Sequence, residues 1–270
     1  MSNNKNKIAI LAGDGELPIL LVNRLNELQC LSLLIILQGS RERFNFHQYK
    51  LVEIPPGEIR KILHVLTENK IYQVIMIGKI DKRGFIEREG FDAMAMKMLM
   101  QIKDGKDISI FHLILDELKK NGVEVLAQDK FLRDMIVDNG THTNRKLTQN
   151  ERTDVLFGMD HAKRFATMDV GQTVVVKNQS VLAVEAVEGT DETIRRGALL
   201  CQSYPIICKA ARANQDRRFD IPVIGLNTLK LMSKHGCKVI AVEADNILIV
   251  NRDMVIEYAN SNQISIVGIP

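Results

Sequence analysis

Apolar and polar positions alternate along the first half of the chain in blocks of two kinds. Short, nearly continuous apolar runs at 7–12, 31–37, 51–54, 73–77 and 123–127 have the length and β-branched content of buried strands. Between them, 17–29, 57–69 and 108–120 carry apolar residues at helical spacing with charged residues on the other face. Gly122 stands just past the last of these, where a left-handed C-terminal cap is expected. Strands alternating with helices predict a parallel sheet covered by helices, a Rossmann-like α/β domain over 1–137.

From 138 to 150 the sequence DNGTHTNRKLTQN loses almost all apolar residues, which predicts an exposed interdomain linker. Beyond it the pattern predicts a helix over 151–167, strands at 173–176 and 181–187 joined by a KNQS turn, a helix over 227–235, and strands at 239–242, 247–250 and 264–267. The C-terminal domain, 151–270, is therefore expected to be mixed α/β with more antiparallel pairing than the first. At 270 residues the chain exceeds one ordinary core, which agrees with two domains.

Composition narrows the function. The 36 Lys and Arg are offset by 33 Asp and Glu, leaving a net charge of +3 and no global field for nucleic acid. Cys30, Cys201, Cys208 and Cys237 lack CxxC spacing, which fits reduced structural thiols in a cytoplasmic protein. No apolar run approaches membrane-spanning length. A homodimer is the base-rate expectation for a soluble oligomer.

Four places offer chemistry. Gly13-Asp14-Gly15 follows a strand and opens a helix, so its N–H groups suit an anion; a plain tight turn explains it as well, and the third glycine of a dinucleotide loop is missing. Gly78-Lys79 ends another strand at the edge where α/β sheets bind ligands, either as a phosphate contact or as a solvated loop. Methionines 94, 96, 98 and 100 read as core filling or as an adaptable groove for acyl chains. The stretch from Glu185 to Pro222 is the richest, mixing carboxylates able to hold a divalent cation with bases able to clamp phosphate. In it Gly189, Thr190 and Asp191 sit at a predicted helix start, where Thr190 can cap and the N–H groups can meet an anion. Over 215–220, an extended backbone would place Asp216, Arg218 and Asp220 on one face. That face suits a cation beside an arginine-held phosphate, and equally a structural ion-pair cluster.

Taken in order, AGDGELP at 12–18, GK at 78–79, DVGQTVVV at 169–176, AVEAVEGTDETIRR at 183–196 and K-x5-QDxRxDxPxIG at 209–225 resemble the LpxI family of UDP-2,3-diacylglucosamine pyrophosphatases over nearly the whole chain. The resemblance implies two α/β domains with substrate held between them. It implies hydrolysis of UDP-2,3-diacylglucosamine to 2,3-diacylglucosamine 1-phosphate (lipid X) and UMP with Mg2+, water attacking the phosphorus on the sugar side, in lipid A biosynthesis at the inner-membrane surface. Asp220 matches the family's essential aspartate, and Asp216 is the next candidate. The mechanism expected from these residues puts Mg2+ on Asp220 with Asp216 or Glu185, makes Arg218 a catalytic group beside the two aspartates, and uses Gly13, Gly15, Lys79, Gly189, Thr190, Asp191, Lys209 and Gln215 as substrate contacts. Two departures stand out: Gly105-Lys106-Asp107 replaces a GDD-like element, and Arg212-Ala213-Asn214 replaces a Lys-Pro, a change expected to alter a turn and not a charged group. The competing readings are a non-catalytic nucleotide-sugar or dinucleotide sensor, which needs no cation-binding carboxylates, and an NAD-dependent oxidoreductase, disfavoured by the missing glycine.

Overall fold

The computed structural model describes residues 7–44, 48–80, 90–101, 107–201 and 204–270. The expectations placed on Gly105, Lys106 and the side chain of Asp107 lie outside these. The chain divides into two compact units: residues 1–132 with Arg217–Phe219, and Arg133–Asp216 with Asp220–Pro270.

The first unit contains β1 (Ile8–Ala12), α1 (Leu17–Glu27), β2 (Leu31–Ile36), β3 (Lys50–Glu53), α2 (Ile59–Glu68), β4 (Gln73–Ile77), α3 (Ala93–Leu99), α4 (Asp107–Lys120) and β5 (Glu124–Val125). All the pairings are parallel, in the order β3-β2-β1-β4-β5. Every residue of β1 is buried, as a central strand covered on both faces requires. The helices bury residues at i, i+3, i+4 and i+7: Pro18, Leu21, Val22 and Leu25 in α1, and Ile59, Ile62, Leu63 and Leu66 in α2. Gly122 adopts a φ of +74° after α4, the left-handed cap the sequence predicts. Of the methionine run, Met98 joins the main cluster and Met94 packs against it, whereas Met100 is 76% exposed; the cavity between Ile59, Met98 and Leu113 is about 20 Å³, too small for an acyl chain.

The second unit begins earlier than predicted. Within 138–150, expected as a linker, β6 (Gly140–Thr141) pairs antiparallel with the last strand. Thr143 Oγ1 accepts from Ile266 N–H, and Arg145 bonds both Ser265 and Glu151. Polar side chains thus tie the segment to the sheet without any apolar period. Then follow α5 (Gln149–Thr167), β7 (Thr173–Lys177), β8 (Ser180–Val184), α6 (Thr190–Leu199), β9 (Ile206–Lys209), β10 (Val223–Ile224), α7 (Leu226–Lys234), β11 (Val239–Glu243), β12 (Leu248–Ile249), α8 (Arg252–Ser261) and β13 (Ser265–Ile269). Six strands form a mixed sheet in the order β6-β13-β11-β9-β7-β8, with parallel β13-β11-β9 and antiparallel β9-β7-β8; β10 and β12 pair separately.

A capping box starts α5, with Thr148 accepting from the Glu151 N–H and Glu151 from the Thr148 N–H. No helix among the described residues is long and apolar enough to cross a membrane.

Candidate active site

Glu185, Thr190, Lys209, Gln215 and Asp220, from the Glu185–Pro222 stretch, are linked by hydrogen bonds around the end of the second sheet where β9 finishes and β7 begins. Ala210 N–H donates to the Gln172 carbonyl at 2.8 Å, extending the β7–β9 pairing. Around this junction stand two groups of side chains.

The first is buried. Lys209, the last residue of β9, is 8% exposed, and Thr173, the first of β7, is fully buried. Lys209 Nζ donates to Thr190 Oγ1 at 3.0 Å; Thr190 Oγ1 donates to Glu185 Oε1 at 3.0 Å and lies 3.3 Å from Thr173 Oγ1. Glu185 reaches this point because its N–H bonds the Thr173 carbonyl, and a side chain at Gly171 would collide with the Glu185 carbonyl. Thr190 is therefore not the cap expected from the sequence. Gly189 holds that position with a φ of +82°, and Thr190 is the first helical residue, its hydroxyl turned to Lys209 and Glu185. Asp191 and Glu192 occupy the first turn, where negative charge is favoured.

The second group surrounds Asp220. Residues 217–219 form a turn closed by Asp220 N–H donating to the Asp216 carbonyl at 3.2 Å. The extended face expected for Asp216, Arg218 and Asp220 is thus not formed. Asp216 and Asp220 stand at the two ends of this turn. Arg217–Phe219 pack with the first unit: Phe219 stacks on Phe111 with ring centroids 4.5 Å apart, and Arg217 pairs with Asp129 at 2.6 Å.

Gln215 organises the Asp220 side. Its amide nitrogen donates to Asp220 Oδ2 at 2.8 Å and to the Asp220 carbonyl, while its Oε1 accepts from Arg212 N–H at 3.0 Å and Gln172 Nε2 at 3.1 Å. Arg212 Nη1 donates to the same Oδ2 at 2.5 Å, and its Nε to Asp169 at 2.8 Å. The expectation that the Arg212-Ala213-Asn214 departure alters only a turn is corrected: it places a guanidinium on the key carboxylate. The Asp220 side chain is 41% exposed.

Among the described residues no three His, Cys, Asp or Glu side chains form a metal cluster. The expected set of Asp216, Asp220 and Glu185 is therefore not a closed cage, and Glu185 is bonded to Thr190. Two carboxylates in one turn nevertheless suit Mg2+, which commonly takes one or two carboxylates together with phosphate oxygens and water.

In the first unit, Gly13 and Lys79 lie at the ends of adjacent β1 and β4. Asp14 and Lys79 exchange two backbone bonds of 2.8 Å, so closely that a Cβ at Gly13 would meet the Lys79 carbonyl. Gly15 has a φ of +112°, and its N–H is taken by the Asp14 carboxylate, which Arg43 also binds. This is the geometry of the tight turn. Arg43, which donates to the Gly15 carbonyl at 2.7 Å, was not legible in the sequence because 28 residues separate the two.

Comparison with known proteins agrees with this two-part organisation. The family model for the LpxI N-terminal domain matches residues 7–135, and that for the LpxI C-terminal domain matches residues 138–267. The UDP-2,3-diacylglucosamine pyrophosphatase LpxI of Caulobacter vibrioides is 26% identical over 275 residues, covering 97% of each chain. With both halves matched in order and the resembling motifs spread across them, the chain belongs to the LpxI family.

Proposed function

We propose that the protein hydrolyses the diphosphate of UDP-2,3-diacylglucosamine, releasing 2,3-diacylglucosamine 1-phosphate and UMP, with Mg2+ held by Asp220 and Asp216. The substrate is taken from the name of the similar Caulobacter vibrioides protein. The observation that carries the reading is the Asp220 carboxylate, fixed through Oδ2 by Gln215 and Arg212 yet still 41% exposed. A carboxylate serving only stability gains little from such exposure, because half-solvated ion pairs contribute about 0–1 kcal/mol.

In this reading Gln215 and Arg212 orient Asp220 so that Oδ1 faces the reacting phosphate and its water. Lys209 meets a non-bridging oxygen of the diphosphate and stabilises the negative charge that shifts toward departing UMP. Bound at Asp220 and Asp216, Mg2+ would offset diphosphate charge and acidify water. The acyl chains place the substrate in the inner membrane, with the protein acting at its surface.

Purified protein incubated with UDP-2,3-diacylglucosamine and Mg2+ should release UMP, and chelation should abolish release. Asp220→Ala should lower turnover by about 10³-fold or more, with a melting temperature close to that of the wild type. Near-normal turnover in that variant would remove Asp220 from the chemistry, and no UMP from the wild type would end the substrate assignment.

A further inference from the structure

Asp220 belongs to the loop that joins β9 to β10, and a carboxylate on a loop is placed only as firmly as the groups that hold it. Its two side-chain donors are backed differently. Arg212 reaches Asp169, an exposed residue beyond the end of α5. Gln215 is held from the sheet, its Oε1 accepting from Gln172 Nε2 at 3.1 Å. Gln172 immediately precedes β7, and its backbone is fixed on both sides. Its carbonyl accepts the Ala210 N–H at the end of β9, the carbonyl of the fully buried Thr173 accepts the Glu185 N–H, and Gly171 is packed against the Glu185 carbonyl without room for a Cβ.

A glutamine amide has two acceptor positions on its oxygen and two protons on its nitrogen. In Gln215 all four are used: Oε1 by Arg212 N–H and Gln172 Nε2, and the NH2 group by the Asp220 carbonyl and Asp220 Oδ2. Arg212 and Asp220 are themselves loop residues, whereas Gln172 stands on the sheet. The Gln172 bond therefore ties the amide, and through it the carboxylate, to the strand ends. We infer that Gln172 is a positioning residue: acting through Gln215, it fixes the Asp220 carboxylate against the end of the sheet that also carries Lys209. This gives the glutamine of the 169–176 motif a task that strand formation does not require. The inference rests on the proposed role of Asp220 in hydrolysis.

Two measurements test it: steady-state hydrolysis of UDP-2,3-diacylglucosamine with Mg2+, and solvent exchange of the Gln215 side-chain NH2 protons followed by NMR, which needs no substrate. The Gln215 resonances are identified by their loss in Gln215→Glu. Gln172→Met keeps the length and deletes the donor. It should lower kcat by about 3–10-fold, the worth of one neutral hydrogen bond, with KM changed by no more than about threefold. Exchange of the Gln215 NH2 protons should quicken by about threefold or more, because their hold on Asp220 loosens. Gln172→Glu keeps size and polarity but turns lone pairs toward Gln215 Oε1, so the amide must move or flip; its kcat should fall by about tenfold or more, below that of the methionine variant. If Gln172→Met does not fold, Gln172→Glu is read alone against its own threshold.

A folded Gln172→Met that turns over at the wild-type kcat overturns the inference, whether or not its melting temperature has dropped, and so does a change confined to KM. A wild type that releases no UMP would end the substrate assignment, and the exchange measurement would still decide the positioning role: faster exchange in the variants upholds it, and unchanged exchange overturns it.

Discussion

Arg212 Nη1 lies 2.5 Å from Asp220 Oδ2, and Arg212 Nε lies 2.8 Å from Asp169 Oδ1, so one guanidinium joins the central carboxylate of the candidate site to a second aspartate. Both partners of the first pair are about 40% exposed, at 39% for Arg212 and 41% for Asp220, so the pair adds at most ~1 kcal/mol to stability. Its consequence falls on cation binding.

Under the proposed function, a positive charge already resting on Asp220 would compete with Mg2+ for the same carboxylate. For a monovalent and a divalent charge about 6 Å apart in near-aqueous dielectric, the repulsion is of order 1 kcal/mol, or about three- to tenfold in affinity. Arg212→Met should therefore lower the Mg2+ concentration giving half-maximal UMP release by about that factor. A titration of activity against Mg2+ decides the matter, and an unchanged or higher requirement would show that arginine and cation do not share Asp220.

The first unit was legible because its three central strands, β2, β1 and β4, are apolar runs bounded by polar turns; β1, buried along its whole length, is the clearest case. Two features of the second unit were not. The strand β9 has only four residues and ends in Lys209, so Ile206-Ile207-Cys208 was lost beside a charged stretch, although the lysine is itself buried. The segment 138–150 shows no period because Thr143 and Arg145 join it to Ser265 and Ile266 through hydrogen bonds. At the site, the residue types of the motifs could be read in advance, but the contacts of Thr190 and Arg212 could not. Thr190 acts as a hub only once β7 and β9 are paired, and Arg212 meets Asp220 only once the backbone turns between them.

The junction at Glu151 predicts an acid-sensitive step. Burial pushes its carboxyl up, but the bonds from Arg145 and Thr148 and the Arg145 charge together outweigh burial and leave the pKa below its ordinary 4.5. A carboxylate with a depressed folded-state pKa contributes stability that is full above the unfolded value and is lost as pH falls through the folded one. Glu151→Gln should destabilise the protein at neutral pH and flatten the fall in stability below about pH 4.5. Denaturant melts at several pH values test this, and a variant whose acid limb runs parallel to that of the wild type would exclude Glu151 as a source of the slope.

Packing around β9 gives a prediction in which two effects oppose each other. Gly158 sits within α5, where replacing glycine by alanine ordinarily stabilises a helix by about 1 kcal/mol. A Cβ there would lie 2.5 Å from Cys208 Sγ and 2.9 Å from Val176 Cγ2. Cys208 is completely buried on β9, one residue before Lys209, and Val176 is completely buried on β7, so neither side chain has solvent to move into. Overpacking of this kind costs about 1–3 kcal/mol, which exceeds or cancels the helix gain. Gly158→Ala should thus lower stability by up to about 2 kcal/mol once the propensity gain is subtracted. Relief requires α5 to lift from the sheet or β9 to shift, and a shift of β9 moves Lys209 with it. Turnover should therefore fall as well, because the Lys209–Thr190 bond is displaced. Equilibrium unfolding paired with UMP release separates the outcomes: a stabilised variant with full activity would show that α5 can move away freely and that the β9 end is not held by this contact.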